Sequence, residues 1–280
     1  MRFVYESNVP GRLSDYEVER RTDLWKLAGI THVMLQVDDG RGASWESSYL
    51  PVNPNSHASA LAEYVSYMYA NNLSVILVFN LAGIYMPDSP VRPDLLVSGV
   101  TPPHYYYNMW SPEVIQWRTR IIEECLSLVR CDMVGLDFVR TGREGIAETA
   151  SSADAVQRML SEIRKVVPYP IAHLSNAGWI GKRPLLQGID AWRWYREGLV
   201  DYSCLFWYIN NWPDLKWVNT ERILALAGSY DTTTGQSKTG MSVHLEHENL
   251  MRKYPSLGGY GLYTANKITF QQVELMKTWV

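Results

Sequence analysis

Asp137 and Arg140 stand three residues apart in the run Val134-Gly135-Leu136-Asp137-Phe138-Val139-Arg140. A carboxylate delivered at the tip of a buried strand can act as a nucleophile or as a base on water. A guanidinium beside it favours its ionised form. The same arrangement, an apolar run closed by a polar side chain, recurs along the chain. Glu6 follows Phe3-Val4-Tyr5, Asp38 follows Leu35-Gln36-Val37, and Asn80 follows Leu77-Val78-Phe79. Further on, Asn176 follows Leu174-Ser175, Trp207 and Tyr208 follow Leu205-Phe206, and Asp231 follows Ser229-Tyr230. The chain has 11 Trp and 18 Tyr but only 5 Phe, so its aromatics carry a polar handle suited to half-wet clefts. Carboxylates converging on such a cleft point to glycoside hydrolysis. One carboxyl protonates the leaving oxygen, and a second acts as nucleophile or as base on water. Asp137 is the candidate nucleophile or base. Asp38 and Asp231 are the candidate acid or helper, with Glu6 also qualifying by position. Glu6, Trp45, Asn80, Arg140, Asn176, Trp207 and Tyr208 are the candidate sugar contacts.

The elements that must position these groups alternate from end to end. Strands are expected at residues 3–7, 31–38, 73–80, 132–138, 170–175, 201–208, 222–229 and 259–263. Helices are expected at 14–28, 55–71, 112–129, 153–166, 183–198, 213–220, 241–254 and 269–279. Ser111-Pro112 reads as a helix cap followed by proline in the first turn, and Gly29 and Gly198 read as helix stops. Unbroken alternation gives a parallel sheet with right-handed crossovers. Eight units in this length fit an α/β fold, a single (β/α)8 TIM barrel over residues 1–280, without a linker or a second domain.

In such a barrel the residues after each strand form the active face. Here that face is polar, acidic and aromatic. The turns entering the strands, such as Val167-Pro168-Tyr169 and Ser256-Leu257-Gly258-Gly259, hold few ionisable groups. Strand phase sharpens the picture, since side chains alternate faces. Met133, Gly135 and Asp137 share the expected inward face, as do Ile76, Val78 and Asn80. Gln36 and Asp38 are also expected to point inward, and Asp39 outward.

Other chemistries find little support. A net charge of −3 offers no footprint for nucleic acid or an anionic membrane. No apolar run has membrane-spanning length. The start, Met1-Arg2-Phe3-Val4-Tyr5-Glu6, does not read as a leader, so a cytoplasmic protein or the mature form of an exported one is expected. Cys125, Cys131 and Cys204 are expected to be buried thiols. Trp25, Trp117, Trp192, Trp194 and Trp217 are expected to be packing residues. His244-Leu245-Glu246-His247-Glu248 lacks the H-E-x-x-H order and reads as a solvated helix face, so no metal is expected. Gly235-Gln236-Ser237-Lys238-Thr239-Gly240 lacks the G-K-[ST] core, no dinucleotide-binding glycine pattern follows any strand, and no cofactor is expected.

Several segments together resemble the family 10-like glycosyl hydrolases, (β/α)8 proteins of bacterial cell envelopes that act on glycans. Leu35-Gln36-Val37-Asp38 with Ser44-Trp45-Glu46 is similar to that family's second strand and loop. Asn108-Met109-Trp110-Ser111-Pro112-Glu113-Val114 resembles its "N-P-x-x-P-E-V" helix start. Val134-Gly135-Leu136-Asp137-Phe138-Val139-Arg140 resembles its "D-G-I-x-L-D-x-x-R" strand. Asp190-Ala191-Trp192, Gly198-Leu199-Val200-Asp201-Tyr202 and Tyr208 resemble a later stretch. The resemblance implies a carbohydrate substrate and a catalytic or binding role for Asp137. The chain departs where the family has Arg in place of Asp38 and Pro-Met in place of Phe206-Trp207. The α-amylase superfamily also ends its fourth strand on a nucleophilic Asp. It puts a Glu acid after the fifth, where this chain has His173-Leu174-Ser175-Asn176. That absence keeps a non-catalytic glycan-binding barrel as the alternative, and an unrelated barrel chemistry as a third.

Overall fold

The computed structural model describes residues 1–7, 15–40, 42–53, 60–84, 92–97, 105–139, 150–176, 189–207, 215, 219–228, 236, 238–263 and 268–278. Eight parallel strands close into a barrel. They are β1 (Arg2–Glu6), β2 (His32–Asp38), β3 (Ser74–Asn80), β6 (Met133–Asp137), β7 (Ile171–Asn176), β8 (Tyr202–Trp207), β9 (Ile223–Gly228) and β10 (Gly259–Tyr263). Their order around the barrel is β1-β10-β9-β8-β7-β6-β3-β2. The expected strands all lie within a residue or two of these bounds. The short strands β4 (Gly83–Ile84) and β5 (Tyr105–Tyr106) form an antiparallel pair beside β3 that no periodicity announced. Two-residue strands are too short to show a period.

The outer helices are α1 (Asp15–Leu27), α2 (Ala60–Ala70), α3 (Pro112–Leu128), α4 (Ala150–Val166), α5 (Ala191–Arg196), α6 (Gly240–Lys253) and α7 (Phe270–Met276). Their ends follow local chemistry. Gly29 and Gly198 take left-handed φ of 69° and 67°, where a residue without Cβ ends a helix at little cost. Pro112 opens α3, although the Ser111 hydroxyl makes no capping bond there. Thr269 and Gln272 form a reciprocal capping box on α7. Of the helix expected at 213–220, most lies outside the described residues. Of its last residues, Asn219 caps and Thr220 opens a 3-10 turn, Thr220–Arg222.

Alternation along the strands divides the core in two. Phe3, Met34, Ile76, Val78, Met133, Leu174, Cys204, Leu224 and Leu226 fill the barrel interior. Val4, Val33, Leu35, Leu77, Val134, Leu136 and Leu205 face the helices. A Cβ on Gly261 would stand 2.4 Å from the Phe3 ring, so that ring takes the space across the barrel that β10 leaves empty. The three cysteines are buried free thiols. Trp25, Trp117 and Trp194 pack in the core as expected. Trp192 is 42% exposed, which corrects the packing expectation for that ring, and Trp217 lies outside the described residues. No helix of the described residues is long and apolar enough to cross a membrane.

Candidate active site

The C-terminal mouth of the barrel is built from inward residues at the strand ends. Asp137 closes β6 in phase with Met133 and Gly135, whose Cβ position faces Val78 and Leu174 of the interior. Its charge is felt by the interior thiol of Cys204, which burial first and Asp137 second push above its ordinary range. The inward phase expected for Asp137 therefore holds. The chain turns sharply just beyond it. Phe138 takes a left-handed φ of 54°, and its N–H folds back to donate to Asp137 Oδ1 at 2.7 Å. The Asp137 carbonyl accepts from the Leu81 amide at 2.9 Å, tying β6 to the loop after β3.

Asn80 lies level with Asp137 on the neighbouring strand β3. It too is in phase with the interior, beside Ile76 and Val78. Its side chain is nearly fully buried and braces two loops. Oδ1 accepts from the Gly83 amide at 2.9 Å, and Nδ2 donates to the Asp39 carbonyl at 3.3 Å. Asn80 was expected to contact the sugar; its amide also holds the rim on which Asp137 stands. The Phe138 ring lies on Gly83, where an added Cβ would be 2.2 Å from it. Tyr5 and Tyr263 add a tilted ring pair with centroids 4.9 Å apart, and Phe206 joins them on the inward side. Tyr5, Phe206 and Tyr263 share the interior layer, and their inward phase was the signal that could have singled them out.

Two expected partners of Asp137 face the other way. Asp38 was expected inward with Gln36. The register between β2 and β3 slips after Gln36, so that Gln36 pairs with Val78 and Asp38 with Phe79. Phe79 belongs to the helix-facing layer, and Asp38 shares its side. Its carboxylate accepts from Arg118 of α3 at 2.9 Å, with both side chains 1% exposed. The Arg118 guanidinium lies 4.6 and 4.4 Å from the ring centroids of Tyr107 and Trp117, which meet each other edge-on. Burial raises the Asp38 carboxyl to about 6, while Arg118 and the Gly40 amide pull it down. The inward orientation expected for Asp38 is corrected: a bulge turns it into the wall between barrel and helices.

Glu6 follows the same outward phase, one residue after inward Tyr5. It accepts from Arg21 of α1 at 2.8 Å, and burial lifts it to about 7 against the pull of that arginine. Trp45, expected as a sugar platform, is 2% exposed. Its indole N–H donates to Glu124 of α3 at 2.9 Å, and Glu124 also accepts from Ser47 and the Ser48 amide. The ring thus pins the loop after β2 to α3. Asn176 and Trp207 end β7 and β8 in the backbone, and their side chains lie outside the description. Arg140, Tyr208 and Asp231 lie outside the described residues altogether.

Away from the mouth, His173 is fully buried between β7 and α5. Its ring meets Trp194 edge-on at 5.1 Å, and Nδ1 lies 3.2 Å from Ser203 Oγ. Burial lowers it to about 4, so it is neutral. The segment 244–248 on α6 is not the fully solvated face expected. Glu246 and His247 are buried, and Glu246 accepts from Lys238 at 3.1 Å. No cluster of metal-ligand type forms among the described residues.

No protein-family model and no curated protein sequence matches this chain. Solved structures do match. The PgaB (BpsB) glycoside hydrolase domain from Bordetella bronchiseptica superposes with a TM-score of 0.71 at 11% identity, covering 100% of this chain and 99% of that one. Alpha-L-fucosidase isoenzyme 2 from Paenibacillus thiaminolyticus gives 0.67 at 12% identity, over 99% of this chain and 48% of the fucosidase. GH36 alpha-galactosidase AgaA from Geobacillus stearothermophilus gives 0.59 at 12% identity, over 98% of this chain and 40% of that one. This chain thus spans less than half the length of the fucosidase and of the galactosidase, but nearly all of the Bordetella domain. At these identities the likeness is one of fold: the chain shares the barrel architecture of three glycoside hydrolases.

Proposed function

We propose that this barrel hydrolyses a glycosidic bond of an oligo- or polysaccharide, with Asp137 as nucleophile or as base on water. One observation carries the reading. Asp137 closes the fourth barrel strand, on the inward phase, at the end of the barrel where (β/α)8 enzymes keep their chemistry. The barrels it is similar to in fold are glycoside hydrolases, and the strand that carries Asp137 resembles a motif of the family 10-like glycosyl hydrolases. Asn176 and Trp207, the last residues of β7 and β8, and Arg140, Tyr208 and Asp231, which follow barrel strands in the sequence, are proposed to orient the sugar or assist proton transfer. Asp38 and Glu6 are assigned to the barrel wall instead, because each is committed to an arginine of an outer helix.

A screen of aryl glycosides and cell-envelope oligosaccharides tests this, with wild type beside Asp137→Asn. Release of aglycone by wild type and its loss in the variant is the expected result. A second reading has its own observation. β7 ends on Leu174-Ser175-Asn176 with no acidic residue, and His173 of the same strand is turned into the wall against Trp194. This supports a barrel that binds glycans without cleaving them. Oligosaccharide binding with no turnover, undiminished by Asp137→Asn, is the outcome that favours it.

A further inference from the structure

We infer that Asp39 is the second carboxylate of the mouth and the proton donor to the leaving oxygen. This rests on the glycosidase reading above and names the partner that reading lacks. Sequence phase turned Asp39 outward and Asp38 inward. The register slip in β2 exchanges them. Asp38 pairs with outward Phe79, and continuing that register one residue past the end of β2 sets Asp39 beside inward Asn80. Asn80 Nδ2 donates to the Asp39 carbonyl at 3.3 Å, as neighbours at one height should. Asn80 is in turn level with Asp137. Asp39, just past β2, thus follows Asn80 and Asp137 around the mouth, and Asp39 is half-buried while Asp38 is sealed.

The spacing of these groups selects a mechanism. Neighbouring strands lie about 4.8 Å apart, so two steps place the ends of β2 and β6 roughly 9.6 Å apart along the wall. Inverting glycosidases hold their two carboxyls about 6.5–9.5 Å apart, with room for a water, and retaining ones about 5–5.5 Å apart. Side chains that point into a closed barrel converge, so the two carboxyls stand closer than their strand ends, which favours the inverting spacing over the retaining one. The geometry at Asp39 is also fixed in advance. Asp39 Oδ1 accepts from the Gly42 amide at 3.2 Å. A Cβ on Gly40, which has φ of 83°, would meet the Gly83 carbonyl at 2.5 Å, and one on Gly42 would meet the Pro51 carbonyl at 2.8 Å. The loop can be this tight because both positions lack a side chain.

In the step proposed, the Asp39 carboxyl gives its proton to the glycosidic oxygen as the anomeric C–O bond breaks, and the bonding pair leaves with that oxygen. A water attacks the opposite face of the anomeric carbon and loses its proton to the Asp137 carboxylate. The products are an alcohol and a sugar of inverted configuration. Proton exchange with solvent resets both carboxyls.

The test uses the full chain and 4-nitrophenyl and 2,4-dinitrophenyl glycosides of fucose, galactose, glucose and N-acetylglucosamine in both anomers. Asp39→Asn keeps the acceptor for Gly42. Loss of a general acid should lower kcat about 10²–10⁴-fold on the nitrophenyl substrate, and less than about tenfold on the dinitrophenyl one, whose leaving group needs little protonation. The alkaline limb of the pH profile should disappear, and proton NMR should show the inverted anomer formed first by wild type. A merely structural role would lower both substrates alike. That result overturns the proposal, as does product of retained configuration, or the leaving-group signature appearing in Asp231→Asn instead. If wild type cleaves no glycoside, the glycosidase reading itself falls; if it cleaves and Asp39→Asn shows no leaving-group dependence, only the role of Asp39 falls.

Discussion

Asp137 stands on a turn that it helps to make. A left-handed φ at a non-glycine residue costs about 1–2 kcal/mol, and Phe138 adopts one while donating its N–H to Asp137 Oδ1. Asn at position 137 keeps that acceptor and removes the charge. Asp137→Asn is therefore expected to leave the melting temperature nearly unchanged and to lower kcat on a cleaved glycoside about 10²–10⁴-fold. Asp137→Ala should add a measurable loss of stability, because the Phe138 amide then loses its partner. Equal activity of Asn and wild type would remove Asp137 from the chemistry. At this scale the sequence was readable wherever alternation was unbroken: Met133, Gly135 and Asp137 keep phase, and so do Ile76, Val78 and Asn80. It misled at Asp38, because a bulge shifts the count by one and no residue type marks it. Trp45 misled for another reason. Its partner Glu124 is 79 residues away, so nothing near the ring revealed that its N–H was already taken.

Elements brought together by long connections carry the next constraints. β4 presents Gly83 to the Phe138 ring so closely that Gly83→Ala must displace one of them. The displacement passes directly to the turn after β6. Gly83→Ala should thus cut catalysis more than its effect on the melting temperature explains, and kcat beside a thermal melt measures both. Between β2 and α3, the Asp38–Arg118 pair is sealed from solvent. Removing one partner of a buried pair costs roughly 3–5 kcal/mol, because the other charge is left without compensation. Arg118→Ala should show that loss in urea unfolding. Replacing both residues, as Asp38→Asn with Arg118→Met, should recover much of it. If the double variant is no more stable than Arg118→Ala, the pair is not the source of the loss. The barrel strands were legible because each is a short apolar run between turn residues. The β4–β5 pair was not, because its two halves lie on either side of a proline-rich stretch and neither is long enough to alternate.

For the whole molecule, the barrel wall stores titratable groups of opposite sense, and their sum governs how stability responds to acid. His173 and His247 are held neutral by burial, at about 4 against 6.5 in the unfolded chain. As pH falls below 6.5 the unfolded chain takes up these protons first, so their contribution to stability is lost. Glu6 and Asp38 act the other way. Burial lifts them to about 7 and about 6, against 4.5 and 3.8 when unfolded. The folded state takes up their protons first. Their contribution is full below the unfolded values and is lost as pH rises through the folded ones. The two effects overlap and oppose each other, so the wild-type melting temperature should change less between about pH 5 and 7 than either set alone would make it. Glu6→Gln removes one carboxylate from the balance and keeps the hydrogen-bond acceptor for Arg21. Its melting temperature should fall as pH is lowered through that window, because the histidines now outweigh Asp38 alone. His247→Phe removes one histidine and should tilt the curve the opposite way, rising on acidification. Scanning calorimetry of the three proteins at matched ionic strength reads the slopes. Parallel curves for all three would mean that these buried groups do not set the acid response of the barrel.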